Sequence, residues 1–357
     1  MATENLTVLD GGLENSGGNG TQPYDDGAVI TIISVSIQVL LISVIFTGNS
    51  LVSLLVLKLE RLHTTSNFFI VSMSLGDIIV SLGMIPGVAI TFDPFLLTNR
   101  YFCLCLWCSQ MLGSSISCLS LLSITIDRYL KITNPLRSTS LMTMKKAGLV
   151  IASIWAYTFT MAIVLPFSGL TQQFQICFDF TSVFNLIHIQ IYLVTCGLIP
   201  FVIMFLCYVH IFKVVLEKSR AMKQTEIAME NVMNNQNGGA AKGETAHGEK
   251  RRKSFLKPWI KREMRSLKTL VVVIGFTAVA WIPIDVILFK EIYNPNYTAS
   301  LTVRTILSWF TYLNSAANPF IYALRSEGFR LALRQTFRLC RSKEDRTTGK
   351  QVARDIM

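Results

Sequence analysis

The order of apolar and polar residues divides the chain into seven long hydrophobic stretches. They cover residues 29–57, 67–92, 102–126, 147–168, 185–215, 267–290 and 299–324. A helix needs roughly 20 apolar residues to cross about 30 Å of hydrocarbon, because each residue adds about 1.5 Å. Membrane strands are about half as long, and only helices or closed barrels satisfy their backbone in lipid. The pattern therefore predicts an all-α membrane protein, a seven-transmembrane helix bundle.

Charge predicts how the bundle is oriented. Only 15% of the residues are charged, whereas a soluble domain carries about 25%. Residues 1–28 contain acids but no Lys or Arg, while basic residues dominate 217–268 and follow the third stretch at Arg128, Lys131 and Arg137. Because positive loops stay cytoplasmic, we expect a multi-pass plasma-membrane protein with an extracellular N-terminus. The net charge of +11 then reflects topology and contact with the lipid bilayer, not nucleic-acid binding.

The polar segments outside the bundle carry candidate modification sites. Residues 1–28 and the cytoplasmic loop 231–250 are predicted to be disordered, because they are too polar to bury a core. Residues 325–340 form a predicted amphipathic membrane-surface helix, with apolar residues at helical spacing, and 341–357 form a cytoplasmic tail. Cys340 ends that helix as either a palmitoylation site or an unmodified thiol. Three sequons on the predicted outer side are glycosylation candidates: Asn5, Asn19 and Asn296.

Two of the eight cysteines lie on the predicted outer side. Cys103 begins the third stretch, and Cys177 lies in the outer loop between the fourth and fifth stretches. Disulfides persist in this oxidising environment. We expect a Cys103–Cys177 bridge that holds the loop over the mouth of the bundle.

Polar residues inside apolar spans are costly and commonly functional. Asp77 is accompanied at similar membrane depth by neutral polar side chains, namely Asn49, Ser117, Asn314 and Ser315. One carboxylate with several neutral oxygen donors could bind Na⁺ at Asp77, with water completing the coordination. The alternative is a hydrogen-bonded network without an ion.

A further charged group lies at the inner end of the third stretch, Asp127-Arg128-Tyr129. Arg128 could pair locally with Asp127, or with Glu263 at the inner end of the sixth stretch. Breaking an exposed ion pair costs little free energy, which suits a switch.

Landmarks in all seven stretches resemble those of the rhodopsin-like (class A) G-protein-coupled receptors. In order they are Asn49, Asp77, Asp127-Arg128-Tyr129, Trp155, Pro200 with Tyr208, Trp281-Ile282-Pro283 and Asn318-Pro319-Phe320-Ile321-Tyr322. The resemblance covers about 29–340. It implies an outer ligand pocket, outward movement of the sixth helix, and coupling to a heterotrimeric G protein, with arrestin and receptor kinases as further partners. The implied switch residues are Asp127, Arg128, Tyr129, Tyr208, Glu263, Pro283, Asn318, Pro319 and Tyr322.

Within that family, the pattern is most similar to the adenosine and biogenic-amine receptor branches, with departures. The amine-binding aspartate of the third helix is Gln110 here, and the adenine-binding asparagine of the sixth is Leu288. Thr277 replaces a phenylalanine of the sixth helix. The retinal lysine position of opsins holds Tyr312, so retinal is not expected.

Asp285 is the most unusual residue of the sixth stretch. It lies four residues after Trp281 and therefore on the same helix face, so it should point into the pocket. One hypothesis is an amine paired to Asp285 and stacked among Trp281, Phe289, Trp309 and Tyr312. The alternative is an internal partner: His188, Gln190, Lys290 or Arg304. The full predicted pocket is Gln110, Ser114, Phe178, Tyr192, Trp281, Asp285, Leu288, Phe289, Trp309 and Tyr312.

The sequence thus favours a receptor for a small extracellular ligand, preferably an amine. A nucleoside or indole-type ligand is the alternative, and an ion channel or transporter is a more remote one. An enzyme is not expected, because the four histidines are scattered and no metal-ligand cluster or nucleophile–base pair is evident in the sequence.

Overall fold

A computed structural model describes residues 26–134, 137–168, 177, 183–235, 271–294, 297, 299–325 and 328–335. Within these ranges, seven long helices form a bundle, which confirms the predicted all-α architecture. They are α1 Asp26–Lys58, α2 Thr65–Gly83 with its continuation Ile85–Phe92, α3 Arg100–Thr133, α4 Met144–Phe159 continuing through Thr160–Val164 and Leu165–Ser168, α5 Leu186–Tyr192 continuing through Leu193–Leu198 and Ile199–Asn235, α6 Val271–Tyr293 and α7 Leu301–Arg325. A short helix α8 follows at 328–335.

The long helices have the length and composition of membrane spans. Among the described residues, α1 to α6 are each long and apolar enough to cross a membrane. Helix α7, with 25 residues, spans about 37 Å at the helical rise, but it carries several polar side chains. Asn314, Ser315 and Asn318 are buried in the bundle, whereas the outer surface carries exposed apolar side chains such as Leu40 and Phe205.

Several boundaries differ from the prediction. Helix α1 begins at Asp26, inside the segment 1–28 that was expected to be disordered. Helix α5 continues to Asn235, and so includes the first residues of the loop expected at 231–250. Helix α2 ends at Gly83 and a new helix begins at Ile85, because Pro86 has no N–H to continue the hydrogen-bond ladder.

Helix α8 packs its apolar side against the bundle. Phe329 and Ala332 are buried, and the Phe329 ring lies 6.1 Å from the ring of Tyr322 on α7. These contacts agree with the apolar spacing that predicted an amphipathic helix. The end of the predicted helix, with Cys340, and the tail 341–357 lie outside the described residues.

Helices α2 and α3 approach each other more closely than side chains would allow. A Cβ atom added at Gly113 would lie 2.6 Å from the carbonyl oxygen of Gly76, and one added at Gly76 would lie 2.7 Å from that of Gly113. Such contacts between small residues are typical of membrane helix pairs. Next to them, Ser72 of α2 accepts hydrogen bonds from Ser120 of α3 at 2.9 Å and from Trp155 of α4 at 3.1 Å. The two contacts fix α2, α3 and α4 relative to one another.

The predicted Cys103–Cys177 disulfide is present, with the two Cα atoms 5.3 Å apart. Trp107 of α3 donates a 2.9 Å hydrogen bond to the carbonyl oxygen of Cys177. The loop is therefore held to α3 by a covalent and a polar contact. We call this the disulfide end of the bundle, and the opposite end, with Asp127, the Asp127 end.

Candidate functional site

A cavity lies between α3, α5 and α6, and it contains Asp285. It contains about 350 Å³ of space between atoms, part of which is open to solvent. Its walls are formed by Ser114, Ser115, Cys118, Tyr192, Leu193, Cys196, Gly197, Phe201, Trp281 and Asp285. We call it the Asp285 cavity.

The local shape of α5 brings its backbone close to the carboxylate. Residues Leu193–Leu198 form a π-helical segment, and such wide turns occur frequently at functional sites. Cys196 and Gly197, at the end of this segment, face the cavity. A Cβ atom added at Gly197 would lie 3.9 Å from Oδ2 of Asp285, so α5 forms the wall opposite the carboxylate.

The four internal partners considered for Asp285 all bind elsewhere. His188 contacts the carbonyl oxygen of Met161 at 2.7 Å, and Gln190 donates to the hydroxyl of Tyr293 at 2.8 Å. Lys290 lies 5.6 Å from the centre of the Tyr297 ring, and Arg304 is bound to Glu291 in an ion pair.

Asp285 itself therefore has no hydrogen bond or ion pair with any side chain in the described ranges. The Glu291–Arg304 pair, which joins α6 to α7 near the disulfide end, was not foreseen from the sequence. The opposite charges of Glu291 and Arg304 were the feature of the sequence from which this ion pair could have been predicted.

Of the four aromatic residues predicted to surround an amine at Asp285, one lines the Asp285 cavity. Phe289 is 57% exposed and stacks on Tyr293, with ring centres 4.5 Å apart. Tyr312 packs against Leu41 and Ile45 of α1. Trp281 is that residue, because Phe289 points outward and Tyr312 packs against α1.

Other predicted pocket residues are also displaced from this cavity. Gln110 donates a 3.2 Å hydrogen bond to the carbonyl oxygen of Val80 on α2, so it turns away from α5. Leu288 packs in the apolar cluster of Leu104 and Met111. Half-buried Trp309 is not among the lining residues, and Phe178 lies outside the described residues.

The cavity walls include residues that the sequence did not single out. They are Ser115, Cys118, Leu193, Cys196, Gly197 and Phe201. Ser114, Tyr192, Trp281 and Asp285 are the members of the predicted pocket that do line it. The cavity is thus formed by three helices, not by the whole ring of seven.

Asp77 lies at the centre of a buried polar network between α2 and α7. It is fully buried, and it accepts 2.8 Å hydrogen bonds from Ser315 and from Asn318. Asn49 of α1 donates to the carbonyl oxygen of Ser315 at 3.2 Å, which extends the network to a third helix. The structure thus brings together most of the residues proposed for an ion site.

A second cavity adjoins this network. It is lined by Met73, Ser114, Ser117, Cys118, Leu121, Thr277, Trp281, Asn314, Ser315 and Asn318. Ser114, Cys118 and Trp281 line both cavities. The two cavities are therefore neighbours, and Trp281 lies on the wall between them.

The Asp127 end contains an ion pair that differs from both expected pairs. Asp127 is fully buried and binds Lys131 at 2.6 Å. It also accepts hydrogen bonds from Thr65, at 3.0 Å, and from Ser66. The expected local pair with Arg128 is not formed, because the first turn of α2 and Lys131 surround the carboxylate.

Arg128 is half-buried and has no ion pair within the described ranges. Its other expected partner, Glu263, lies outside them. Lys131 follows Asp127 by four residues, so the pair could have been predicted from the helical repeat.

The tyrosines of the predicted switch make different polar contacts. The Tyr129 hydroxyl is 3.0 Å from Nδ1 of His210. Tyr208 packs against Ile132 and Ile211, and its buried hydroxyl has no hydrogen-bond partner among the described residues. The Tyr322 hydroxyl lies 3.7 Å from the sulfur of Met73, and Pro319, below Asn318, lies inside helix α7.

Comparison with known proteins decides the family. The sequence profile of the 7 transmembrane receptor (rhodopsin family) matches residues 48–322. The chain belongs to the rhodopsin family of seven-transmembrane receptors. It is therefore a multi-pass membrane protein, and the resemblance to class A receptors is confirmed.

Individual relatives of this receptor come from two branches. It is 27% identical to the adenosine receptor A2b of Bos taurus, over 87% of this chain and 92% of the relative. It is 28% identical to the alpha-1D adrenergic receptor of Mus musculus, over 90% of this chain but only 60% of that receptor's length. These relatives are receptors and not enzymes, which confirms the expectation that this chain is not an enzyme.

Thr277, which replaces a phenylalanine of the sixth helix in related receptors, makes two polar contacts in the structure. The side chain is buried, and its hydroxyl lies 2.8 Å from the carbonyl oxygen of Val273 and 2.9 Å from Oδ1 of Asn314. An aromatic side chain at this position could form neither contact. Thr277 therefore connects α6 to the polar network of α7.

Proposed function

We propose that this receptor binds a small organic cation, an amine in the first instance, through Asp285. The observation that carries the proposal is a carboxylate that faces a cavity and has no partner in the described part of the chain. A charge removed from water requires an opposite charge and hydrogen bonds. A cationic ligand supplies both, and the face of Trp281 adds an attraction of about 0.5–2 kcal/mol.

The walls of the cavity support a small ligand that has both apolar and polar parts. They combine hydroxyl groups and the Asp285 carboxylate with apolar side chains such as Leu193 and Phe201, as is typical of ligand pockets. Two of the relatives reported above are adrenergic and adenosine receptors by name, so a nucleoside is the competing ligand class. The negative charge of Asp285 favours the amine, because a nucleoside is neutral at its base and sugar.

We further propose the topology and partners expected from the family. The N-terminus is extracellular in the plasma membrane, so that the disulfide end faces the ligand. Ligand binding moves α6 outward at the Asp127 end, where Arg128 receives a heterotrimeric G protein. Arrestin and receptor kinases act on the same side, and Asn5, Asn19 and Asn296 are glycosylated.

A Na⁺ ion at Asp77 is part of the proposal. The two carboxylate oxygens and the nearby Ser315 hydroxyl offer the oxygen ligands that hard cations prefer. Ser117 and Asn314 line the adjoining cavity, where water can complete the coordination. The ion would stabilise the arrangement in which α2 and α7 are joined by Asp77.

The experiment is a second-messenger screen of cells that express the receptor, with one panel of small amines and one of nucleosides. Asp285→Asn is measured beside the wild type. Glu291→Gln is the matched control, because it removes another α6 carboxylate that is bound to Arg304. We expect amines, and not nucleosides, to activate the receptor. Asp285→Asn should abolish the response at equal surface expression, whereas Glu291→Gln should retain it. Activation by nucleosides that survives Asp285→Asn would contradict the proposal.

A further inference from the structure

We infer that the Asp285 cavity selects a head group rich in hydrogen-bond donors, a primary ammonium or a guanidinium, over tertiary and quaternary amines. The inference rests on the proposed function and narrows its ligand class. It follows from where the hydroxyl hydrogens of the cavity walls are directed.

The three hydroxyl groups of the cavity donate to the protein itself. Ser114 donates to the carbonyl oxygen of Gln110 and Ser115 to that of Met111, each at 2.6 Å. Serine hydroxyls within helices commonly form such bonds to the preceding turn. The Tyr192 hydroxyl lies 3.1 Å from both the carbonyl oxygen of Met111 and Oγ of Ser114. Each hydroxyl hydrogen thus has an acceptor in the protein, and only oxygen lone pairs remain for a ligand.

The other lining side chains add few donors. Cys118 and Cys196 carry thiols, which are weak donors, and Leu193, Gly197 and Phe201 have no polar side-chain group. Trp281 is the one lining residue whose strong side-chain donor has no partner within the described ranges. Its indole N–H is therefore the one strong donor that the lining side chains could offer a ligand.

An ionised Asp285 is itself purely an acceptor, with two oxygens. A primary ammonium brings three N–H donors, and a guanidinium brings several in one plane. Either can bind the carboxylate and still donate to the hydroxyl oxygens. A quaternary ammonium has no N–H, so it would neutralise Asp285 while leaving the carboxylate without hydrogen bonds. Buried ion pairs are stabilising only when those hydrogen bonds are formed.

Because the cavity walls carry many hydrogen-bond acceptors and few donors, they disfavour ligands that need donors from the protein. A carboxylate ligand would be repelled by the negative charge of Asp285 and by the lone pairs of the hydroxyl oxygens. A nucleobase presents ring acceptors beside its amino group, and the cavity provides one indole N–H for them. Amines and nucleosides, the two ligand classes that the relatives suggest, therefore differ in their fit to this cavity in hydrogen bonding as well as in charge.

The test uses 2-phenylethylamine and its N-methyl, N,N-dimethyl and N,N,N-trimethyl derivatives as probes on the full-length receptor in cells. All four are cationic at neutral pH, so charge is constant while N–H donors are lost. We expect potency to fall along the series, by at least about tenfold from the primary to the quaternary probe, since each lost charge-assisted hydrogen bond matters. Surface expression is measured in parallel by an epitope tag.

Ser114→Ala removes one hydrogen-bond acceptor of the cavity. The difference in potency between the primary and the quaternary probe should therefore become smaller in this variant. Ser43→Ala is the matched control, because Ser43 forms the same bond to a preceding carbonyl, 2.8 Å from that of Val39, on the exposed side of α1. A quaternary probe equal to the primary one, with both lost in Asp285→Asn, would overturn the inference and leave the proposed function standing. Four inactive probes, in a receptor that nucleosides activate, would overturn both.

Discussion

The hydroxyl of Thr277 lies 2.9 Å from the amide oxygen of Asn314, and this contact joins α6 to α7 inside the bundle. Both residues line the cavity beside Asp77, and Trp281 lies one turn above Thr277 on α6. The two helices are therefore connected directly below the proposed ligand site. Any outward movement of α6 has to lengthen or break this hydrogen bond.

Thr277→Val should raise signalling in the absence of ligand. Valine has nearly the shape of threonine but cannot donate to Asn314, so the restraint on α6 is lost. A hydrogen bond contributes about 0.5–1.5 kcal/mol, which corresponds to about a 2–10-fold rise in basal nucleotide exchange on a co-expressed G protein. Thr277→Ser retains the hydroxyl and should remain near the wild type. Unchanged basal exchange in Thr277→Val would show that the contact does not restrain α6.

Lys131→Met should lower basal signalling. The Asp127 carboxylate forms an ion pair with Lys131 and accepts hydrogen bonds from the first turn of α2. Arg128 therefore has no ion pair within the described ranges. Without Lys131, the carboxylate becomes available to Arg128, which is then withdrawn from the proposed G-protein site. Since partly exposed ion pairs are worth up to about 1 kcal/mol, we expect about a 2–5-fold decrease.

The control for this prediction is Lys145→Met, which removes an exposed lysine of α4. Lys131→Arg should preserve the ion pair and the wild-type signal. The same nucleotide-exchange measurement serves for all three variants. A basal signal that increases in Lys131→Met would mean that Lys131 restrains the receptor instead of freeing Arg128.

Much of this architecture follows from local sequence. Apolar runs of more than 20 residues predict the spans because lipid leaves the backbone few alternatives. Asp77 and the polar residues of α7 were grouped by membrane depth, and Ser315 and Asn318 do bind Asp77. The Cys103–Cys177 pair followed from its location on one side of the membrane.

The surroundings of Asp285 could not be predicted in the same way. An ideal helix of 3.6 residues per turn does not reveal the π-helical segment of α5, which brings Cys196 and Gly197 to the cavity. The direction of Gln110 depends on a contact with Val80 of another helix. Phe289 and Tyr312 were expected to surround a ligand at Asp285, but their side chains follow the packing of this particular bundle.

Gly113→Ala should destabilise the folded receptor. The added Cβ atom would lie 2.6 Å from the carbonyl oxygen of Gly76, and backbone atoms cannot move aside cheaply. Overpacking of this kind typically costs about 1–3 kcal/mol. We expect lower surface expression and an apparent melting temperature of the solubilised receptor several degrees below that of the wild type.

Gly148→Ala is the matched control, because a Cβ atom there meets nothing within 4 Å. It should leave both measurements unchanged. Equal stability of the two variants would contradict the close approach of α2 and α3.

Asp77→Asn should remove the effect of Na⁺ on ligand binding. In the wild type, raising NaCl from zero against a choline chloride background should lower the affinity of an activating amine. The substitution keeps a side chain that can hydrogen-bond but removes the charge proposed to hold the ion. Radioligand competition at constant ionic strength measures the effect. A sodium response that persists in Asp77→Asn would place the ion elsewhere.

In the proposed complex, the charge of Asp285 pairs with a charge on the ligand. A double cycle measures this pairing: 2-phenylethylamine and its neutral analogue 2-phenylethanol compete for binding at the wild type and Asp285→Asn, with Glu291→Gln as control. We predict that Asp285→Asn weakens the amine at least about 30-fold, since losing one partner of a buried charge pair costs about 2–5 kcal/mol. The neutral alcohol should bind both forms about equally weakly. An equal loss for both compounds, or no loss for the amine, would contradict the account.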